Sequence, residues 1–315
     1  MNLLLGDSQG ESIPRMGVSA DDMAKSIRVV DPFCHSSGVC LPLKVAAKPT
    51  PQAPAMTDLI KQEQRDGVLT LTIDRPDKLN ALTNAMYTRL ADWIFAADED
   101  DSIRVVILTG GPNCFTSGND LVDFLQEPPT HLDSPAFRLM RAVTHLQKPL
   151  IAAVCGAAIG IGTTLLLHCD QVLVTRNAKL RMPFVNIGLC PEFGASLLLP
   201  RLLGQARAAR LLLLGEGLNG DEAVAWGLAN EAFDDGAQCL EAANKIAQRF
   251  LAMPQQSLRQ SRQLMKQDGM AELQATLREE NTLFIQRLNT DEAKSALNAL
   301  LNRSTDKNPP KGNQP

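Results

Sequence analysis

Three glycines and one carboxylate mark the places where this chain could do chemistry. Gly156, Gly160 and Gly162 lie in PLIAAVCGAAIGIGTTLLLHCD, residues 149–170. Glycines on both sides of Ile161 let the backbone turn sharply and bring main-chain N–H groups close to a ligand. The apolar run that follows reads as a buried helix. The first N–H groups of a helix lack an intrahelical partner and carry partial positive charge. Such a place can hold a negatively charged oxygen, although a tightly packed strand-to-helix turn would use the same residues. The carboxylate is Glu192, in CPEFGAS at 190–196. It stands between Leu189 and the leucines at 197–199, where packing favours an apolar residue. A helix-start glutamate favoured by the helix dipole is the other reading of it.

Other chemistries find little support. No GxxxxGK[ST] loop, GxGxxG in register or G-x-S-x-G elbow is present. Ser117 sits in a loop, but no histidine stands out as its base. The histidines at 35, 131, 145 and 168 show no metal-ligand spacing, so no metal is expected. His168, in an apolar run, reads as a satisfied core residue. Asp120 reads as a cap for the helix LVDFL and Asp170 as a turn-fixing residue. Seven scattered cysteines suit a reducing compartment, with Cys155, Cys169 and Cys190 inert. A net charge of −4 and 4% aromatic residues argue against nucleic-acid binding. No apolar run approaches the ~20 residues that span a bilayer, so no membrane partner is expected.

Alternating strands and helices must position these groups. Residues 67–76 read as a strand and 79–100 as an amphipathic helix, with Leu82, Met86, Leu90, Trp93, Ile94 and Ala97 at helical spacing. Residues 103–111 form a second strand, closed by glycines. Ser134-Pro135 opens a helix. The glycine stretch follows, then strands at QVLVTR and KLRMP. Helices dominate from residue 188, and Asn219 caps one that carries Glu222 in its first turn. This ordering predicts an α/β core and a helical C-terminal region. Residues 1–55 lack a sustained period and end in a Pro/Ala-rich linker, so they read as a disordered extension with Met56 as the natural start.

DRPDKLNAL, CFTSGNDL, CGAAIGIGTTLLLHCD, GLCPEFGAS and AVAWGLANE resemble, in order and spacing, the successive motifs of the crotonase, or enoyl-CoA hydratase/isomerase, superfamily. The resemblance covers about residues 58–303. It implies a spiral of repeated ββα units with a helical C-terminal trimerisation region. The expected divisions are 56–250 for the spiral core, 251–303 for the helical region and 304–315 for a disordered tail. It also implies an acyl-CoA substrate whose thioester enolate is held by two backbone N–H groups. By position these belong to Asn119 and Ile161, with Gly118, Gly160 and Gly162 allowing close approach. The segment with Lys78, Leu79, Ala81 and Leu82 resembles the part that meets the CoA adenine; a plain helix N-terminus is its alternative.

The resemblance departs from a hydratase at both catalytic acids. Thr164 stands where the first glutamate would be and Phe184, after Pro183, where the second would be. Neither serves as a general base at neutral pH. The PEFG placement of Glu192 resembles instead the single catalytic glutamate of Δ3,Δ2-enoyl-CoA isomerases. Dry surroundings, supplied by Phe184, Leu189 and Phe193, should raise its pKa to about 6–7. The expectation is therefore an isomerase that is cytoplasmic and a homotrimer or dimer of trimers, with coenzyme A entering only as part of the substrate and no separate cofactor. A hydratase-type enzyme and a non-catalytic acyl-CoA-binding subunit are the alternatives.

Overall fold

The computed structural model describes residues 59–306. The readings on 1–55, the start at Met56 and the end of the tail fall outside these residues. In chain order the strands are β1 (Ile60–Arg65), β2 (Val68–Ile73), β3 (Val105–Thr109), β4 (Leu150–Val154), β5 (Ala157–Ile159), β6 (Gln171–Thr175), β7 (Lys179–Arg181), β8 (Gly217–Leu218) and β9 (Glu231–Phe233). The first helices are α1 (Asn84–Glu99), α2 (Leu121–Gln126), α3 (Pro135–His145) and α4 (Ile161–Thr164). They are followed by α5 (Ala195–Leu203), α6 (Gln205–Leu213), α7 (Gly220–Trp226) and α8 (Gly236–Ala252), then by α9 (Gln255–Gln267), α10 (Met270–Leu288) and α11 (Asp291–Asp306). The α/β expectation holds, and a strand–strand–helix unit recurs as β1-β2-α1, β4-β5-α4 and β6-β7-α5.

The larger sheet runs β1-β2-β3-β4-β6-β9, antiparallel between β1 and β2 and parallel elsewhere. Its register pairs Leu108 with Ala152 and Ala152 with Val172. Side chains alternate across the strands, so two cores form. Val106, Leu108, Ala152, Val154 and Val172 face the main core. Val105, Ile107, Ile151, Ala153 and Leu173 face a second, where α8 supplies Cys239, Ala243 and Ala247 at four-residue spacing. Burial on both faces explains the unbroken apolar reading of β3 and β4. A smaller sheet, β5-β7-β8, is extended by a parallel bridge between Thr116 and Ala158.

Three readings change. The strand read at 67–76 is the second arm of a hairpin, since β1 (IKQEQR) precedes it as an edge strand exposed at five of its six residues. Such a strand blunts its edge with charge instead of alternating apolar residues. The buried helix after Gly162 is short: α4 gives way to a 3-10 turn at 165–168. Asp170 does more than fix a turn. It accepts from the Leu150 N–H at 2.8 Å and pairs with Arg262 (2.7 Å) and Lys266 (3.4 Å), tying α9 to the sheet. Asn219 and Glu222 form the expected cap, here a full capping box.

The C-terminal helices return over the loops at the strand ends. Phe284 of α10 packs edge-on against Phe124 (6.2 Å between centroids) and Phe137 (6.5 Å). Arg287 Nε donates to the Gly188 carbonyl at 2.9 Å. The apolar stripe of α10 is therefore covered by its own chain. No helix among the described residues is long and apolar enough to cross a membrane.

Candidate active site

Two loops meet through backbone hydrogen bonds. Thr116 N–H donates to Ala157 O (2.9 Å) and Ile159 N–H to Thr116 O (3.0 Å). Asn119 lies three residues beyond Thr116, and Ile161 three beyond its bridge partner Ala158. Both loops pass through glycine here for steric reasons. Gly118 has φ +90°, and a Cβ on it would meet Ile159 O at 2.9 Å. A Cβ on Gly162 would meet Thr116 Cγ2 at 2.5 Å. The strand-end pairing and these close approaches bring the loop that carries Asn119 against the one that leads into Ile161.

Both N–H groups are left open by the local geometry. Leu82 N–H donates to Gly118 O (2.8 Å) and Asp120 N–H to Leu82 O (2.9 Å). In that parallel bridge the N–H of Asn119, between the two, faces away from Leu82. Ile161 is the first residue of α4, so its N–H has no acceptor in its own helix. Asn119 is also held from its side chain: the buried Tyr87 hydroxyl donates to Asn119 Oδ1 at 2.6 Å. Asp120 caps α2 through the Val122 and Asp123 N–H groups, as expected. It also pairs with Arg75 Nη1 at 2.6 Å.

An apolar cavity opens in front of these loops. Gly118, Asn119 and Gly160 line it together with Phe184, Ile187 and Leu189, and α10 and α11 contribute Phe284, Leu297 and Leu300. Ile161 and Glu192 are not among the lining residues and are buried, 4% and 3% exposed. The second candidate region adjoins the loop that carries Asn119. Lys78 and Leu79 are exposed on the loop before α1, with Leu79 at 61%, while Ala81 and Leu82 are buried. That loop is built by Asn80, whose Nδ2 donates to Gly110 O (2.8 Å) and Cys114 O (2.7 Å). Ser117 N–H donates to Leu79 O at 3.0 Å, joining the exposed loop to the one that carries Asn119.

Among the described residues Glu192 has one side-chain hydrogen-bond partner, the Thr164 hydroxyl of α4, which donates to Glu192 Oε1. Burial raises the Glu192 carboxyl to about 8; the Thr164 hydrogen bond lowers it and the negative charge of Glu280 raises it further. The rise exceeds the sequence expectation chiefly because Glu192 is almost fully buried. The Glu192 charge in turn adds to the effect of burial in holding the Tyr87 phenol well above its ordinary range. Tyr87, Thr164 and Glu280 were not singled out as partners in this site by sequence reasoning. For Glu280 a signal existed: it occupies the buried stripe of α10 formed by Leu273, Leu277, Phe284 and Leu288. His168 is buried and neutral as expected, burial lowering it to about 4. Burial pushes the half-buried Cys169 and Cys190 thiols up to about 12 and 11, which keeps them unreactive. Among the described residues no group of three or more His, Cys, Asp or Glu could hold a metal ion.

Residues 63–307 match the family profile described as enoyl-CoA hydratase/isomerase. The chain is 37% identical over 206 residues to the 1,2-epoxyphenylacetyl-CoA isomerase of Escherichia coli (strain K12), covering 63% of this chain and 78% of that one. It is 33% identical over 247 residues to enoyl-CoA delta isomerase 2 of Homo sapiens, covering 76% of this chain and 62% of that one. Among solved structures, Pseudomonas aeruginosa OdaA is 53% identical with a TM-score of 0.77, covering 78% of this chain and 99% of that one.

Proposed function

The chain belongs to the enoyl-CoA hydratase/isomerase family, and we propose that within it the chain is a Δ3,Δ2-enoyl-CoA isomerase acting through Glu192 alone. The observation that carries this reading is the Thr164–Glu192 pair. One carboxylate and one hydroxyl can move a proton, but they do not supply the two acids that a paired-glutamate hydration needs.

The acyl chain of a 3-enoyl-CoA enters the apolar cavity. Its thioester oxygen takes hydrogen bonds from the Asn119 and Ile161 N–H groups. Ionised Glu192 removes a proton from C2. The electron pair moves into the thioester, giving a dienolate whose negative oxygen the two donors hold. One such donor is worth about 3–4 kcal/mol in the transition state. Protonated Glu192 then returns its proton at C4, leaving a 2-enoyl-CoA and an ionised carboxylate. No atom is gained or lost. A carboxyl near 8 is suited to both halves, because the acid and base forms are both populated around neutral pH. Lys78 and Leu79 are the exposed residues that meet the CoA adenine, with Ala81 and Leu82 supporting them. Coenzyme A arrives with the substrate, and the proposal includes no other cofactor. The enzyme is a cytoplasmic homotrimer or dimer of trimers in fatty acid metabolism, which sedimentation and cell fractionation would test.

The deciding experiment follows ultraviolet absorbance with a 3-enoyl-CoA. Conjugation of the shifted double bond raises absorbance, and Glu192→Gln should abolish the change. Full isomerase activity in Glu192→Gln would show the mechanism to be wrong. Water addition to a 2-enoyl-CoA at equal efficiency would make the enzyme a hydratase. Acyl-CoA binding without turnover at any chain length would make it a binding subunit.

A further inference from the structure

Glu192 sits at the first position of a tight turn whose second residue adopts an unusual conformation for its type. Ala195 N–H donates to Glu192 O at 3.1 Å, closing a turn over Phe193 and Gly194. Both central residues have positive φ, +58° at Phe193 and +75° at Gly194. A type I′ turn requires such values and favours Asn, Asp or Gly at both positions. Phenylalanine at the first of them clashes with its own backbone. Phe193 is nevertheless fully buried there.

The same peptide unit is held at both poles by buried side chains. The Phe193 carbonyl lies 2.7 Å from His168 Nε2. A carbonyl only accepts, so the neutral imidazole carries its hydrogen on Nε2 and donates it. The His168 ring also stacks on the Phe193 ring, with centroids 4.2 Å apart and planes inclined by 26°. The opposite pole, the Gly194 N–H, donates to Glu280 Oε2 at 2.6 Å. Glu280 Oε1 accepts from the Ser196 N–H at 2.9 Å and the Ser196 hydroxyl at 2.5 Å. His168 comes from the turn after α4 and Glu280 from α10, so two separate elements grip one peptide plane. Neither side chain lines the cavity, and substrate binding gives no reason for their presence.

We propose that His168 and Glu280 are positioning residues for the acid/base: together they fix the Phe193–Gly194 peptide in a disfavoured turn and thereby aim Glu192 at the substrate. The inference rests on the reading of Glu192 given above. It makes the C-terminal helix α10 part of the assembly of the site. It also accounts for a buried carboxylate placed close enough to Glu192 to raise it.

Three variants test this beside Glu192→Gln. His168→Phe keeps an aromatic ring against Phe193 and removes the donor. His168→Gln keeps an N–H donor. Glu280→Gln keeps one acceptor oxygen and removes the charge. Steady-state kinetics with a 3-enoyl-CoA are measured on protein whose folded fraction is set by thermal melting. His168→Phe should lower kcat by roughly tenfold to a hundredfold, since misplacing a reacting group by about 1 Å costs up to ~10²-fold. KM should stay within about twofold of the native value, because neither residue contacts the acyl-CoA. His168→Gln should recover part of the loss. Glu280→Gln should lower kcat and move the inflection of the kcat/KM–pH profile to lower pH, since a like charge is removed. Native kcat and native pH profile in folded His168→Phe and Glu280→Gln, with Glu192→Gln inactive, would overturn the inference alone. Full activity in Glu192→Gln would remove the reading of Glu192 and the inference with it. A lowered melting temperature with native kcat would assign both residues to stability and end the proposal.

Discussion

Thr164 donates its hydroxyl hydrogen to Glu192. The two residues are 28 positions apart and lie on different elements, α4 and the turn before α5. The bond favours the ionised form of the acid, against burial, which favours the neutral form. Thr164 thus favours the charge that the proposed base must carry near neutral pH.

Thr164→Val keeps the volume and removes the donor. A hydrogen bond to a charged group is worth about 1.5–3 kcal/mol, so kcat/KM at pH 7 should fall by roughly tenfold or more. The pH profile distinguishes this cause from a packing defect. Native kcat/KM should rise with pH through an inflection near 8 as Glu192 ionises. In Thr164→Val the inflection should move upward. An unmoved inflection would mean that the hydroxyl does not tune the acid.

Tyr87→Phe separates the Asn119 side chain from its backbone. The phenol donates to Asn119 Oδ1 at 2.6 Å from the buried face of α1. Its removal leaves the Asn119 N–H intact and loosens the loop that aims it. We expect kcat to fall by a few-fold to about tenfold, well short of the 10²–10³ seen when an oxyanion donor is deleted. Binding of a saturated acyl-CoA, which forms no enolate, should change little in titration calorimetry.

Much of this arrangement was legible in one dimension. The spacing of Met86, Leu90, Ile94 and Ala97 places α1 and its buried face, and Asn219 with Glu222 announces the start of α7. Gly118 and Gly162 mark the close approaches, where an added Cβ would meet Ile159 O and Thr116 Cγ2; Gly160 has room for a Cβ and is glycine for its φ of +60° instead. β1 escaped because five exposed polar residues in succession carry no alternation. The break between α10 and α11 at Asn289 and Thr290 has no proline or glycine to signal it. The left-handed Phe193 is set wholly by what surrounds it, so no local propensity could reveal it. Thr164 was read by its inability to act as a base, whereas its role depends on a partner that only the fold brings near. Glu280, a carboxylate within the buried stripe of α10, was an omission that helical spacing could have exposed.

Gly118→Ala tests whether the two donor loops must stay in contact. The added methyl would meet Ile159 O at 2.9 Å and sit on a residue with φ +90°. The left-handed backbone alone costs an alanine about 1–2 kcal/mol. The loop carrying Asn119 should therefore shift away from β5. Expected outcomes are a Tm lower by roughly 2–8 °C, at about 2–4 °C per kcal/mol, and a kcat loss larger than the loss in acyl-CoA affinity. Equal losses in both would show that the loop serves binding alone.

The buried acid also makes a prediction about stability. Glu192 ionises at about 8 in the folded protein against an ordinary value of 4.5. A group raised in this way binds its proton more tightly when folded. Its contribution is fully present below the ordinary value, and it is lost as pH rises from there through 8. Above that pH the folded state holds an ionised carboxylate in an apolar setting. Glu192→Gln removes this cost while keeping the shape and a polar atom for Thr164. The variant should therefore melt close to the native protein at pH 5 and above it at pH 9, with each kcal/mol relieved adding about 2–4 °C. Calorimetry across that range reads the difference directly. A Tm gain that grew toward acid pH instead would mean that Glu192 is stabilised as the anion, and that another group raises the inflection in kcat/KM.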